Sequence, residues 1–202
     1  MAKLLLATGN RAKINELKSL FLNLPCELVA LSEAGISADV DETGDTLEEN
    51  ARLKATAAAA SSRLLVVADD SGLEVAALGG EPGALSARYA GAGASDVERT
   101  SYLLSRLESV PWGKRQARFR CVIAVATPDG RVRLYSGDCP GVITLEPRGE
   151  MGFGYDPVFY LPQLGRTMAE LSLEEKNRLS HRGQAARKAL PLLKRLMGKN
   201  IS

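Results

Sequence analysis

Leu64-Leu65-Val66-Val67-Ala68-Asp69-Asp70-Ser71-Gly72-Leu73 sets an apolar run directly before two carboxylates, a hydroxyl and a glycine. The segment from Leu64 to Ala68 reads as a buried strand, and the polar quartet after it as the point where that strand leaves the sheet. In open α/β sheets ligands collect beyond the carboxyl ends of the strands, so this exit marks a candidate site. Successive strand residues face opposite ways, which gives Asp69 and Asp70 different tasks. One carboxylate can hold a divalent cation or orient a water while the other braces the loop. The same four residues also suit a plain Asx turn.

The bulk properties bound the problem. A chain of 202 residues with 45% hydrophobic and 25% charged residues has enough material for one large domain or two lobes sharing a core. A net charge of +2 implies no strong field for nucleic acid or membrane, so any basic function has to come from local placement. The first apolar run, Leu4 to Ala7, is too short for a secretory or membrane-spanning segment. Cys26, Cys121 and Cys139 are widely spaced and form no Cys-x-x-Cys pair, as expected of reduced core thiols in a cytoplasmic protein. With a single histidine, a metal centre here has to be built from oxygen ligands, which favours magnesium or manganese over zinc.

Upstream, Lys3 to Thr8 reads as a strand, Gly9-Asn10 as a break, and Ile14, Leu17, Leu20 and Phe21 as the apolar stripe of a helix. Strand, glycine turn and helix start together offer free backbone N–H groups to an anion. Lys13 lies in the first helical turn, where the dipole disfavours a cation; either a phosphate resolves the conflict or the side chain points into water. Cys26 to Leu31 reads as a second strand beside the first, followed by an acidic loop with Asp39, Asp41, Glu42 and Asp45. Thr46 and Glu49 form a capping box that opens a helix reaching about Ser62, with Asn50 and Lys54 on one face.

Downstream, Ser95 and Glu98 cap a helix with Val97, Leu104 and Leu107 on its apolar side. Alternating Ala117, Phe119, Cys121, Ile123 and Val125 make a strand that Thr127-Pro128-Asp129-Gly130 turns back on a partner, so the sheet is mixed. Gly152-Phe153-Gly154-Tyr155-Asp156-Pro157 places two aromatics about a glycine and a carboxylate next to them, a set suited to stacking on a flat base and accepting its hydrogen bonds, or to core packing. Ser172 and Glu175 cap a short helix carrying Lys176, and Ser180 opens the last one with His181 and Arg182 in its first turn. Lys13, His181 and Arg182 are three cations placed against helix dipoles, and an anionic ligand shared among them is the economical explanation.

These residues, taken in order and spacing, resemble the inosine/xanthosine triphosphate pyrophosphatases. The likeness runs nearly end to end through Thr8-Gly9-Asn10-Arg11-Ala12-Lys13, Glu49 to Ala55, Ala68 to Leu73, Pro82-Gly83 through Arg88, Gly152 to Pro157, and Glu175-Lys176 through Ser180-His181-Arg182-Gly183. The resemblance implies one α/β domain over 1–202, with a mixed central sheet flanked by helices and two lobes around a deep nucleotide-binding cleft. It implies a cytoplasmic homodimer that cuts ITP, dITP or XTP between the α- and β-phosphates with magnesium, manganese being able to substitute. Asp70 resembles the catalytic carboxylate and a metal ligand, with Glu42 as its metal-side partner. Thr8, Gly9, Asn10, Arg11, Ala12, Lys13, Lys54 and Ser71 resemble the triphosphate grip. Phe153, Gly154, Tyr155, Asp156, Lys176, His181 and Arg182 resemble the base-side contacts.

Hypoxanthine and xanthine carry a 6-oxo acceptor where adenine carries an amino donor, so donors from His181 or Arg182 favour the former. Buried mismatches of this kind discriminate by about 10⁴-fold. Guanine shares the 6-oxo group, so its exclusion needs another contact. The competing readings are another magnesium-dependent phosphohydrolase and a nucleotide-binding regulator without turnover; stable nucleic-acid or membrane partners are not expected.

Overall fold

Lys3–Leu6 (β1) and Glu27–Ala30 (β2) lie parallel, with Lys3 opposite Glu27 and Leu6 opposite Ala30. Between them runs a helix, Arg11–Leu20 (α1). Leu4, Leu5 and Leu6 are all fully buried, which is why this short strand is apolar without alternation: both of its faces are covered. The structure, a computed structural model, describes residues 2–37 and 43–198.

The helix predicted from the Thr46–Glu49 box is Leu47–Ser62 (α2), with both halves of the box formed. It leads into Leu65–Val75 (β3), parallel to β1 with Leu4 opposite Leu65. This strand differs from expectation. It does not end at Ala68 but continues through Asp69, Asp70, Ser71 and Gly72, so the acidic pair lies within the sheet, almost fully buried, rather than in an exit loop. Pro82–Gly83 (β4) pairs antiparallel with its far end.

Asp96–Arg106 (α3) follows, again with a complete capping box from Ser95 and Glu98. Its buried residues are Thr100 and Leu103, with Leu107 just beyond, whereas Val97 is 75% exposed. The apolar stripe is therefore rotated from the one read in the sequence. Gln116–Ala126 (β5) and Val132–Ile143 (β6) are the predicted pair, joined by a turn in which Thr127 N–H donates to the Arg131 carbonyl at 3.0 Å. Phe159–Leu161 (β7) and Arg166–Thr167 (β8) extend the sheet antiparallel, and Leu173–Leu179 (α4) and His181–Gly198 (α5) close the described chain. The strand order is β2-β1-β3-β5-β6-β7-β8, with β4 on β3, so the fold is α/β with a mixed sheet.

The chain divides into two compact units, Met1–Asp70 with Cys121–Gly137 and Arg182–Ser202, and Ser71–Arg120 with Asp138–His181. The first has a core in which Leu4, Leu6, Leu17, Phe21, Val67 and Ile123 pack with Ala185, Ala186 and Ala189 of α5; the alanines let that helix lie close. Fully burying one such leucine contributes roughly 1.5–3 kcal/mol. The second core centres on Leu73, Leu103, Leu107, Phe119, Phe159 and Met168, with the Phe119 and Phe159 rings 4.3 Å apart. All three cysteines are free and buried, and burial pushes the Cys121 thiol up to about 12.

Two backbone positions stand out. Arg63, the C-cap of α2, has φ 58° and is the one non-glycine residue with positive φ among the described residues. A side chain in that conformation costs roughly 1–3 kcal/mol, which is why glycine or asparagine usually takes it. Gly72 is required for a different reason: a Cβ there would overlap the Gly83 carbonyl oxygen, which is backbone. Gly72→Ala is expected to lower stability by about 1–3 kcal/mol through that overlap, measured as a fall in the urea midpoint at constant slope.

Candidate functional site

In the first unit, the turn after β1 is built by its own polar groups. The Asn10 N–H donates to Thr8 Oγ1 at 3.2 Å, and Asn10 Oδ1 caps α1 by accepting from the Lys13 N–H at 3.1 Å. Gly9, Asn10 and Arg11 are exposed, and Thr8, Ala12 and Lys13 half-buried. No acidic residue occupies the first turn of α1, so its dipole meets the Lys13 charge unrelieved from within the helix.

Relief comes from β3. Lys13 Nζ lies 3.3 Å from Asp69 Oδ2, and Arg182 donates to that same oxygen from Nε at 3.0 Å and from Nη2 at 2.9 Å. Arg182 Nη1 donates to Glu16. Burial pushes the Asp69 carboxyl up, but Lys13, then Arg182 and Lys54, outweigh it and hold the group well below the usual carboxylate range. Burial likewise acts to lower Arg182, and Asp69 and Glu16 overcome it and raise the guanidinium above its ordinary value. On the opposite face of β3, Lys54 Nζ donates to Asp70 Oδ1 at 2.8 Å. Adjacent carboxylates thus have separate partners, as strand alternation predicts.

This arrangement changes the meaning of the helix-dipole argument. The anions that answer Lys13 and Arg182 are carboxylates of the chain itself, Asp69 and Glu16. Arg182 is 1% exposed and commits Nε, Nη1 and Nη2 to those carboxylates, so its guanidinium holds Asp69 rather than standing open as a base reader. Glu16 was missed in the sequence; its signal is a carboxylate beside Leu17 on the buried side of α1, where a charge needs a partner.

The ion pairs join three cations, Lys13, Lys54 and Arg182, to three carboxylates, Glu16, Asp69 and Asp70. Among the described residues, Asp69 Oδ1 is buried and has no hydrogen-bond partner. Among the described residues no three His, Cys, Asp or Glu side chains gather into a metal cage. One or two carboxylates with remaining positions for water and phosphate is the donor set of magnesium, so the residues present fit that ion. Glu42, expected as the second metal-side carboxylate, lies outside the described residues.

In the second unit, Phe153, Gly154, Tyr155 and Asp156 form a tight turn. The Phe153 N–H donates to Asp156 Oδ2 at 2.8 Å, and the Gly154 N–H to Asp96 Oδ2 at 2.7 Å. Gly152, at φ 79°, leaves room for the Asp156 carboxylate, which a Cβ would strike. Lys176 pairs with Asp156, and its Nζ lies 4.7 Å from the centroid of the half-buried Phe153 ring. The sequence-predicted Phe153, Asp156 and Lys176 are thus one assembly, joined by Asp96, which the sequence reading did not single out.

Tyr155 departs from the stacking role expected beside Phe153. Its ring belongs to the second core, it is 4% exposed, and its hydroxyl donates to the Ser86 carbonyl at 2.9 Å. His181 is buried as well, its ring stacked on Phe119 at 4.7 Å and 15°. Ser71 is half-buried in β3, beside Gly72.

These features define an α/β protein organised around buried, ion-paired carboxylates and a glycine–aromatic turn. The chain belongs to the Ham1 family, whose model matches residues 4–192. It is 50% identical over 194 residues to the dITP/XTP pyrophosphatase of Desulforamulus reducens, with 96% of each chain covered. Its fold matches the structure of a HAM1 protein from Coxiella burnetii with a TM-score of 0.86 at 42% identity, covering 96% of this chain and 100% of that one. The Staphylococcus aureus Ham1 protein matches with a TM-score of 0.82 at 44% identity over 98% of this chain and 99% of that one. No helix among the described residues is long and apolar enough to cross a membrane.

Proposed function

We propose that the chain hydrolyses dITP, ITP and XTP to the nucleoside monophosphate and pyrophosphate, clearing non-standard purines from the nucleotide pool. The observation that carries this is the 50% identity to a dITP/XTP pyrophosphatase across 96% of both chains. The chain acts as a single catalytic domain over residues 1–202. The enzyme works as a homodimer in the cytoplasm.

In this scheme Thr8 to Lys13, Lys54 and Ser71 grip the triphosphate, with the Gly9 and Asn10 turn supplying backbone donors. Asp70, oriented by Lys54, accepts the proton of the attacking water. Asp70 and Glu42 would hold magnesium, or manganese in its place, which when bound would supply positive charge to the triphosphate. Phe153 stacks on the base, Asp156 and Lys176 fix the turn that presents it, and His181 supplies a donor to the 6-oxo group. Tyr155 serves by locking that turn into the core, and Arg182 by positioning Asp69.

The test is hydrolysis of ITP, XTP, dITP, GTP and ATP with magnesium, resolving pyrophosphate from orthophosphate. Pyrophosphate from ITP, dITP and XTP, with little from ATP or GTP, is the expected result. Orthophosphate from all nucleotides alike would instead identify a terminal phosphohydrolase, and binding without turnover a regulator.

A further inference from the structure

We propose that the first unit carries a second ligand site, for a small organic phosphate, at the end of its strands opposite the acidic pair. A hollow of about 430 Å³ opens there, lined by the strand-opening residues Lys3 and Leu65 together with Arg63, Pro128, Arg131 and Met197. A neighbouring hollow of about 300 Å³ shares Thr127, Arg131 and Leu196 with it and adds Arg133 and Arg195. Along β3 the distance from Leu65 to Asp70 is five residues, roughly 16 Å at a strand rise of ~3.3 Å per residue. A molecule bound at this end would not touch the acidic cluster.

Charge is what distinguishes the place. Lys3, Arg63, Arg131, Arg133 and Arg195 line the two hollows against a single carboxylate, Asp129. In the larger hollow Lys3, Arg63 and Arg131 face Asp129, a surplus of two positive charges, and Arg133 and Arg195 add to it from the smaller one. Asp129 is already tied to Arg131 at 2.7 Å, and Lys3 leans on Glu27 at 3.8 Å. The side chains of Arg63, Arg133 and Arg195 make no ion pair or hydrogen bond among the described residues. Like charges gathered this way repel one another, and an anion seated among them removes the repulsion.

The backbone adds an independent observation. Arg63 occupies the left-handed conformation at the end of α2, where glycine or asparagine is less strained. That conformation sets the Arg63 guanidinium on the rim of the hollow. Guanidinium groups match phosphate oxygens in a two-pronged geometry, and Leu64, Leu65 and Met197 give the floor an apolar surface for the body of the ligand. A volume of about 430 Å³ suits a small molecule, not a nucleic-acid strand.

The experiment titrates 1-naphthyl phosphate onto the full chain, following ligand fluorescence and backbone amide shifts. The expected result is saturable binding that weakens with salt and moves the amides of Leu65 and Met197. In the double variant Arg63→Asn/Arg131→Gln affinity should fall at least about tenfold, since two charge-assisted contacts are lost. Asparagine accepts the left-handed backbone, so an unlowered melting temperature will show that the variant is folded. Absence of saturable binding to the native chain, unchanged affinity in the variant, or shifts confined to Thr8–Lys13 would each overturn the proposal.

Discussion

Asp70→Asn is expected to lower the turnover of ITP by about 10³-fold while nucleotide affinity changes by less than tenfold. The amide is isosteric with the carboxylate, and its oxygen can still accept from Lys54 Nζ, so the geometry on that face of β3 survives. What disappears is the negative charge and the ability to take a proton. An equal fall in kcat and kcat/KM is the signature of an interaction made in the transition state, and a rise in KM alone that of lost ground-state binding. Steady-state kinetics with a parallel binding titration of a non-hydrolysable analogue separate the two. If Asp70→Asn turned over normally, the proton acceptor would have to be another carboxylate.

The contrast between Asp69 and Asp70 shows how far the sequence could be read. Alternation along a strand is enough to assign the two carboxylates to different faces, and the structure gives them different partners. The capping boxes at Thr46, Ser95 and Ser172 were legible too, because each is local and needs only two side chains three residues apart. What was not legible is the continuation of β3 through Asp69-Asp70-Ser71-Gly72. Local propensity ends a strand at such residues; here ion pairs with Lys13, Lys54 and Arg182, from α1, α2 and α5, make their burial tolerable.

The same cause explains the other departures. Arg182 and Lys13 looked like cations awaiting an external anion because Glu16 and Asp69 are distant in sequence from Arg182, and no local pattern announces that they meet. Tyr155 looked like a stacking face because an aromatic next to glycine says nothing of which way the ring turns. Phe153 and Tyr155 are two residues apart, yet one ring lies under Lys176 and the other in the core. The family resemblance was legible because it rests on ordered motifs, and the match to the Ham1 family over residues 4–192 bears it out.

Arg182→Ala should be the most destabilising single change in the first unit, lowering stability by about 3–5 kcal/mol. The side chain is 1% exposed, and its loss leaves Glu16 and Asp69 buried with their strongest partner gone. For a domain whose total stability is about 5–15 kcal/mol, that brings the fold close to its limit. The pair itself contributes much less than its rupture costs, since desolvation offsets most of the attraction. Glu16→Gln/Asp69→Asn/Arg182→Met should therefore recover much of the loss, an outcome that a mere cavity at position 182 would not give. Acid supplies the second readout. Asp69 is held below its unfolded value, near 3.9, so its contribution is present above that pH and disappears as pH falls toward the folded value. Urea midpoints between pH 6 and roughly pH 3 should fall more steeply for the native chain than for Asp69→Asn, which has no charge there to lose. Equal slopes would mean that the Asp69 carboxylate is not what acid removes, and a loss below about 1 kcal/mol for Arg182→Ala would mean that the ion pairs do not hold the unit together.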